Sequence, residues 1–108
     1  MPARLLQLNF DFSMTPTEYE QAMSPLADEF ARVAGLRWKI WIMNPEAREA
    51  GGIYLFDDQE SVSAFLDGPL AAQVAAHPAL ANLTVKVFDV MDEITAVTRG
   101  PVALAERH

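Results

Sequence analysis

LRWKIWIMNPEAREAGGIYLF, which occupies residues 36–56, is the stretch that decides the fold. Its two apolar parts, residues 36–43 and 50–56, carry the aromatic and β-branched side chains that are typical of strands. The sequence Asn-Pro-Glu at residues 44–46 is a turn signal between them. The stretch therefore predicts a hairpin formed by the second and third strands of a sheet. The paired glycines at residues 51–52 mark either a bulge or a close approach of two backbones.

A strand and a helix precede the hairpin. Residues 5–12 alternate apolar and polar side chains with the period of two that predicts a strand. Residues 15–18, Thr-Pro-Thr-Glu, have the pattern of a capping box, and apolar residues follow at helical spacing. Gly35 suits the left-handed end of this helix. Pro25 lies inside it, so we expect either a kink or a restart capped by Ser24.

A helix and a strand also follow the hairpin. Asp57 is the predicted cap of the second helix, which a Gly-Pro pair at residues 68–69 divides. Residues 83–91 form the predicted last strand. The order β-α-β-β-α-β predicts an α+β, ferredoxin-like fold with an antiparallel sheet. We assign this domain to residues 1–93 and interpret residues 94–108, which have no clear period, as a C-terminal tail or dimer arm.

Composition narrows the classes of function. The chain has 108 residues and a 51% apolar share, which favours a buried partner surface on so small a domain. A net charge of −7 without any basic run argues against nucleic acid and anionic membrane as partners. We see no signal peptide pattern and no apolar run near the roughly 20 residues that span a bilayer, so we expect a cytoplasmic location. The absence of Cys excludes disulfides and thiolate chemistry.

The alternation along the strands, taken without bulges, sorts the sheet into two faces. The face expected to lie under the helices is almost wholly apolar and carries Leu6, Leu8, Phe10, Trp38, Ile40, Ile53, Leu55, Val85 and Val87. The other face is mixed and carries Gln7, Asn9, Lys39, Trp41, Tyr54, Lys86 and Phe88. It is too aromatic for solvent and too polar for a core. We therefore expect a second copy to cover it, giving a homodimeric α+β barrel with a lined interior.

Each residue of the mixed face also has a structural interpretation. Aromatic side chains on strands usually pack, and the stems of Lys39 and Lys86 can extend to a solvated rim. Asn9 is harder to explain by packing, since Asn is depleted in strands and a buried amide needs partners. We therefore expect Asn9, Trp41 and Tyr54 to line one cavity that contacts a planar aromatic ligand.

The sequence has no Gly-rich nucleotide loop, zinc-protease motif or serine-hydrolase motif. His77 is interpreted as a histidine at a helix end, and the carboxylates at residues 57–58 and 89–93 as caps and solvated rims. These features predict no metal site and no bound cofactor.

A family resemblance is carried by five segments, namely LLQLNF (residues 5–10), PLA (25–27), GLRWKIW (35–41), EAGGIYLF (49–56) and VKVFDV (85–90). They closely resemble the YdhR family of putative mono-oxygenases, and the match runs in order from about Arg4 to Asp92. The resemblance implies a dimeric α+β barrel. It also implies membership of a superfamily that includes cofactor-independent, quinone-forming oxygenases.

The resemblance favours a cofactor-independent mono-oxygenase that acts with O₂ on a planar quinol-like or polyphenol-like molecule. Such a protein must stack the ring, exclude water and stabilise a phenolate, and a buried lysine with a lowered pKa could act as the base. The expected catalytic residues are Asn9 and Tyr54, and the expected substrate-binding residues are Trp38, Lys39, Trp41, Lys86, Phe88 and Phe10. If the site lies outside the barrel interior, the cleft between sheet and helices near Trp38 and Phe10 is the next candidate.

Two alternative functions stay open. A non-catalytic dimer would use its aromatic face as an interface or bind a small molecule without turnover. The wider superfamily also includes haem-degrading mono-oxygenases, which use an Asn on the first strand, a Trp at the end of the third and a His on the last helix. Asn9 fits the first position, but Phe56 stands at the second, and His77 lies about two residues past the third, where Ala75 is in register. Haem degradation is therefore disfavoured.

Overall fold

Four strands form one antiparallel sheet in the computed structural model, which describes residues 3–102. The strands are β1 (Arg4–Phe12), β2 (Leu36–Asn44), β3 (Glu49–Phe56) and β4 (Leu80–Asp89). The helices are α1 (Pro16–Met23), α2 (Ala27–Ala31), α3 (Gln59–Leu66), α4 (Pro69–Ala75) and α5 (Asp92–Val97), with a 3₁₀ turn (Ser24–Leu26) between α1 and α2. The strand order is β2-β3-β1-β4, which confirms the predicted ferredoxin-like arrangement. None of these helices is long and apolar enough to cross a membrane.

Pro25 interrupts the first helical region as predicted. The Thr15 hydroxyl accepts the backbone N–H of Glu18 at 3.1 Å, and the Glu18 carboxylate accepts the N–H of Thr15 at 3.0 Å, which completes the capping box. The chain then makes the 3₁₀ turn and resumes as α2. Ser24 caps neither of these elements, so the predicted second cap is wrong. Gly35 has the predicted left-handed conformation, with a φ of +81°, but it lies in the turn before β2 and not at the helix end, because α2 already ends with Arg32 as its C-cap.

The cap of α3 lies one residue later than predicted. Asp58, not Asp57, occupies the N-cap position, and its carboxylate accepts the backbone N–H of Ser61 at 2.9 Å. This hydrogen bond lowers the pKa of Asp58. Asp57 instead accepts a hydrogen bond from Arg37 Nε at 2.7 Å. Two adjacent aspartates were both possible caps. Arg37 on β2 binds Asp57, which leaves Asp58 as the cap of α3.

The chain beyond β4 is more ordered than its sequence pattern indicated. It forms α5, and it then contacts the start of β2, where Arg37 donates to the carbonyl of Val102 at 2.8 Å and the Trp38 indole donates to the carbonyl of Pro101 at 2.9 Å. The segment therefore crosses one end of the sheet from β4 to β2. Its role as a dimer arm stays a prediction, and residues 103–108 lie outside the described part of the chain.

The core lies between the sheet and helices α1 to α4. Its largest cluster joins sheet residues to α2 and α3 and contains Leu6, Leu8, Phe30, Tyr54, Phe56, Val62 and Phe65. A second cluster joins β1 and β3 to α1 and contains Phe10, Phe12, Tyr19, Met23 and Ala50. The side of the sheet that contacts these helices is called the helix-facing side below, and the opposite side is called the open face.

The predicted division of strand residues is right for β1 and β4 and wrong for β2 and β3. Leu6 lies directly opposite Tyr54, and Tyr54 lies opposite Lys39, so these three side chains share the helix-facing side. Trp41 lies on the same side, because it is opposite Gly52, which is two residues before Tyr54 in β3. The open face carries Gln7, Asn9, Trp38, Ile40, Ile53, Leu55, Lys86 and Phe88. Alternation within one strand does not fix which side the next strand presents, because that depends on register.

The two glycines of β3 do not form a bulge. Pairing between β1 and β3 is regular through them, and a Cβ on Gly51 would lie 1.9 Å from the carbonyl oxygen of Leu8, so the predicted close backbone approach is confirmed. The register shifts lie elsewhere, at Arg37 in β2 and opposite Phe10 in β4.

Candidate active site

A cavity of about 380 Å³ lies between the helix-facing side of the sheet and the helices. Its walls are mainly apolar and aromatic and include Leu8, Phe10, Tyr19, Met23, Phe30, Lys39, Trp41, Tyr54, Phe65, Val74 and Val85. This volume falls in the range of roughly 300–1,000 Å³ that is usual for small-molecule sites. The shape and lining fit a small, largely apolar ligand.

Lys39 is the one charged residue among the described residues that line the cavity. Its Nζ lies 3.4 Å from the ring centroid of Phe30, 3.3 Å from that of Trp41 and 4.7 Å from that of Tyr54. The ring faces carry partial negative charge and attract the ammonium. The sheet register brings this cage together, because Lys39 and Trp41 share the helix-facing side of β2 and Tyr54 stands directly opposite Lys39.

The Lys39 ammonium has no polar partner within residues 3–102. No carboxylate of that part lies within 4.0 Å of it, and none of the side-chain hydrogen bonds there involves it. Burial disfavours the charged form and lowers the pKa of Lys39 from 10.5 to about 7. The amine therefore exists in both protonation states near neutral pH and keeps its hydrogen-bonding capacity for a ligand.

Gly52 provides the space that Lys39 occupies. A Cβ on this residue would lie 2.8 Å from Lys39 Cε and 3.1 Å from the nearest ring carbon of Tyr54. Both distances are shorter than ordinary van der Waals contacts. A side chain at Gly52 would therefore push the lysine stem or the tyrosine ring away from the cage.

Two tyrosines, Tyr19 and Tyr54, also line the cavity. Burial raises the pKa of Tyr19 to about 12, and burial followed by the nearby Tyr19 raises the pKa of Tyr54 further. Both side chains are therefore neutral at physiological pH and are hydrogen-bond donors. The Tyr54 ring is held by Phe30 and Phe65, with centroid distances of 6.2 and 5.2 Å.

Trp41 stands at the outer side of the cavity. It is 38% exposed, packs edge-on against Phe30 with a centroid distance of 5.2 Å, and also lines a second groove between α1 and β2. Its ring is thus shared between the cavity and the surface.

The sequence-predicted site residues divide between the two sides of the sheet. Phe10, Lys39, Trp41 and Tyr54 line the cavity. The remaining four, Asn9, Trp38, Lys86 and Phe88, lie on the open face, so the expected single cavity formed by Asn9, Trp41 and Tyr54 is wrong. The Asn9 carbonyl oxygen Oδ1 accepts a hydrogen bond from Gln7 Nε2 at 2.9 Å, which supplies the partner that its amide needed.

The helix residues of the cavity were missed by the strand-based site prediction. Tyr19, Met23 and Phe30 follow each other at helical spacing and read as a core stripe, which they also are. Only the placement of that stripe over Lys39 makes it part of a candidate site.

The haem-degrading set of residues is not assembled here. Asn9 lies on the open face, Phe56 is fully buried in the core, and His77 Nδ1 accepts the backbone N–H of Ala79 at 3.1 Å outside the cavity lining. These residues do not fit haem. Within residues 3–102, no three His, Asp or Glu side chains lie close enough together to hold a metal ion.

Comparison with known proteins identifies relatives of this fold. A family model described as "Putative mono-oxygenase ydhR" matches residues 5–101. SnoaB, a cofactor-independent oxygenase from Streptomyces nogalater, is 18% identical with a TM-score of 0.67, over 83% of this chain and 94% of that chain. The heme-degrader MhuD from Mycobacterium tuberculosis is 16% identical with a TM-score of 0.63, over 81% of this chain and 95% of that chain.

A dimeric ferredoxin-like protein of unknown function from Thermobifida fusca is also similar. It is 18% identical with a TM-score of 0.63, over 83% of this chain and 93% of that chain. At these identities the structural likeness establishes the fold alone. No curated protein matches the sequence significantly.

Proposed function

This chain belongs to the YdhR family of putative mono-oxygenases, and on that premise we propose that it oxygenates a planar quinol-like or polyphenol-like molecule with O₂ and without a bound cofactor. The observation that carries the proposal is the Lys39 amine, which stands in an aromatic cavity without an anionic partner among the described residues. An acidic phenol or enol supplies the missing anion.

The reaction needs no electrons from the protein. In an anthrone-like substrate, a CH₂ group between two rings becomes a carbonyl, one atom of O₂ enters the product and the other leaves as water. The substrate itself supplies all four electrons, once deprotonation has made it electron-rich enough to reduce O₂. The protein must therefore remove a proton, hold the resulting anion and exclude water.

Lys39 is suited to the first two of these tasks. With a pKa of about 7, a large share of the amine is neutral at physiological pH and can accept the substrate proton. The ammonium that forms then lies beside the new oxyanion, where the low polarity of the cavity strengthens their attraction. The same group thus acts as base and as counter-ion.

The remaining cavity residues supply orientation. Phe10, Phe30 and Trp41 offer faces and edges for a flat ring system, and the neutral Tyr54 hydroxyl is a donor for a ligand oxygen. The apolar side chains of the helices limit access of water to a bound ligand.

Oxygen consumption tests the proposal. The EDTA-treated protein would be mixed at pH 7 with a panel of anthrones, quinols and flavonoids, and uncatalysed autoxidation would be subtracted. Lys39→Met should lower turnover about 100-fold or more, as loss of a general base does. Lys86→Met is the matched control, because the other lysine of the chain lies on the open face.

The outcomes separate the candidate functions. Turnover that survives Lys39→Met would refute the assigned base. Tight binding of a panel compound without O₂ consumption would favour the non-catalytic binding module instead. Activity that disappears with EDTA treatment and returns with a metal ion would refute the cofactor-free reaction.

We further propose that the open face is covered by a second copy of the chain. Ile40 and Phe88 on that face are 51% and 46% exposed, and Met91 and Val97 just beyond β4 are 67% and 77% exposed. Such apolar exposure on a small chain indicates an interface. The dimeric Thermobifida fusca relative supports the same arrangement. Sedimentation velocity at micromolar concentration should give a dimer, and a monomer there would exclude the barrel.

A further inference from the structure

The two lysines of the chain stand in opposite environments. Lys39 is enclosed by the rings of Phe30, Trp41 and Tyr54 in the cavity. Lys86 lies on the open face in the exposed strand β4. Of these two lysines, Lys39 alone combines an amine with an apolar ligand-sized space and with freedom from any ion pair within residues 3–102. This combination is the setting in which a lysine becomes a nucleophile.

We propose that Lys39 captures aromatic aldehydes and ketones in this cavity as covalent imines. The Nζ lone pair attacks the carbonyl carbon, a C–N bond forms, and the carbonyl π electrons move to oxygen, which takes up a proton to give a carbinolamine. Loss of that oxygen as water, with one proton from nitrogen, leaves the C=N bond. The step consumes one carbonyl group, releases one water and needs no oxidant or reductant.

The protonation state of Lys39 supports this reactivity. Because burial lowers the pKa of Lys39 to about 7, about half of the amine is neutral at that pH. An ordinary lysine, with a pKa of about 10.4, is neutral in only about one molecule in 2,500 under the same conditions. Attack on a carbonyl requires the neutral form, so Lys39 has a large kinetic advantage over an exposed lysine.

The aromatic cage supports the product as well as the nucleophile. A protonated imine keeps its positive charge close to the position of Nζ, where the ring faces of Phe30 and Trp41 stabilise a cation. The adduct's aromatic part extends into the cavity of about 380 Å³, whose walls are mainly apolar. The site therefore selects carbonyl compounds that carry a flat apolar group rather than small charged ones.

This inference uses the cavity of the proposed function but does not depend on reaction with O₂. The test is reductive trapping under anaerobic conditions, with 2-naphthaldehyde as the probe and sodium cyanoborohydride as the trap at pH 7. Peptide mapping by mass spectrometry would then compare Lys39, Lys86 and the terminal amine within the wild-type protein. We expect at least ten times more adduct at Lys39 than at Lys86.

Two controls identify the cavity as the cause. Glyoxylate, a small anionic aldehyde, should show a much smaller preference for Lys39 than 2-naphthaldehyde does, because it meets the same reactive amine without the apolar contacts of the cavity. Lys39→Arg keeps a cation but forms no imine, so it should lose the dominant adduct, whereas Lys86→Arg should keep it. The wild-type comparison of the two lysines requires no variant to fold.

Equal labelling of Lys39 and Lys86 by 2-naphthaldehyde would overturn the inference. An undiminished preference for Lys39 with glyoxylate would contradict the aromatic ligand class. The trapping assay excludes oxygen, so its result is independent of the oxygen-consumption assay. If the protein traps the aldehyde at Lys39 but consumes no O₂ in the other assay, the proposed function alone is refuted. A protein that consumes O₂ but traps no aldehyde at Lys39 refutes this inference alone.

Discussion

Replacing Lys39 with Met should stabilise the protein at neutral pH and flatten the pH dependence of its stability. Burial lowers the pKa of Lys39 from 10.5 to about 7 in the folded state. Between these values the unfolded state binds a proton that the folded state does not. The free energy of unfolding of the wild type therefore rises with pH in this window, by at most about 1.4 kcal/mol per pH unit.

The size of the effect follows from that window. From pH 7 to pH 9 the wild type should gain up to about 2 kcal/mol from this group. The figure is an upper limit, because the rings of Phe30 and Trp41 attract the ammonium and offset part of the desolvation. Well below pH 7 both states carry the proton, so the contribution to the slope vanishes. Lys39→Met has a similar length but no titrating group, so this contribution is absent.

Urea denaturation followed by far-UV circular dichroism at pH 7, 8 and 9 measures the difference. The range stops at pH 9 so that tyrosines of the unfolded chain, with a pKa of about 10, stay neutral. Lys86→Met is the control and should keep the wild-type slope. If the free energies of the wild type and Lys39→Met run parallel across this range, the amine is not desolvated, and both proposals for the cavity lose their physical basis.

Four further variants test the site and the helix starts. Gly52→Ala should displace the stem of Lys39 and lower turnover about tenfold, as misplaced catalytic groups do; unchanged turnover would mean that the cage tolerates a Cβ. Asp58→Ala should cost about 1 kcal/mol in urea denaturation, and Asp57→Ala less, since only the former removes a helix cap; the reverse order would contradict the cap assignment. Thr15→Ala should also cost about 1 kcal/mol, and an unchanged midpoint would exclude its capping role.

The fold was predictable because its signals are local. The capping box at Thr15, the turn after β2 and the alternation in β1 each depend on a few neighbouring residues, and each lies in the structure where the sequence placed it. The cap of α3 was misplaced by one residue because two aspartates are adjacent there. The contact between Asp57 and Arg37 that decides between them joins distant parts of the chain.

The site was only half predictable because its composition depends on register. Each of β2 and β3 is apolar on both sides, since Ile40 and Ile53 on the open face are as apolar as the residues under the helices. Periodicity alone therefore could not choose a side for Lys39 and Tyr54. Arg37 is also an extra residue in the pairing of β2 with β3, so the alternation between the two sides of the sheet is shifted at the start of β2. The pairing of β3 with β1 determines which side these residues occupy, and no local sequence signal specifies that pairing.

The corrected position changes how Lys39 is explained. On a solvated rim a lysine would need no function, because its stem packs and its ammonium meets water. Beneath the helices the same residue loses part of its hydration and gains no carboxylate or hydrogen bond within residues 3–102. The ring faces recover only part of that loss, so an apolar residue of similar size would serve the core better. Packing therefore does not account for Lys39, whereas a ligand that brings an anionic or carbonyl oxygen into the cavity does.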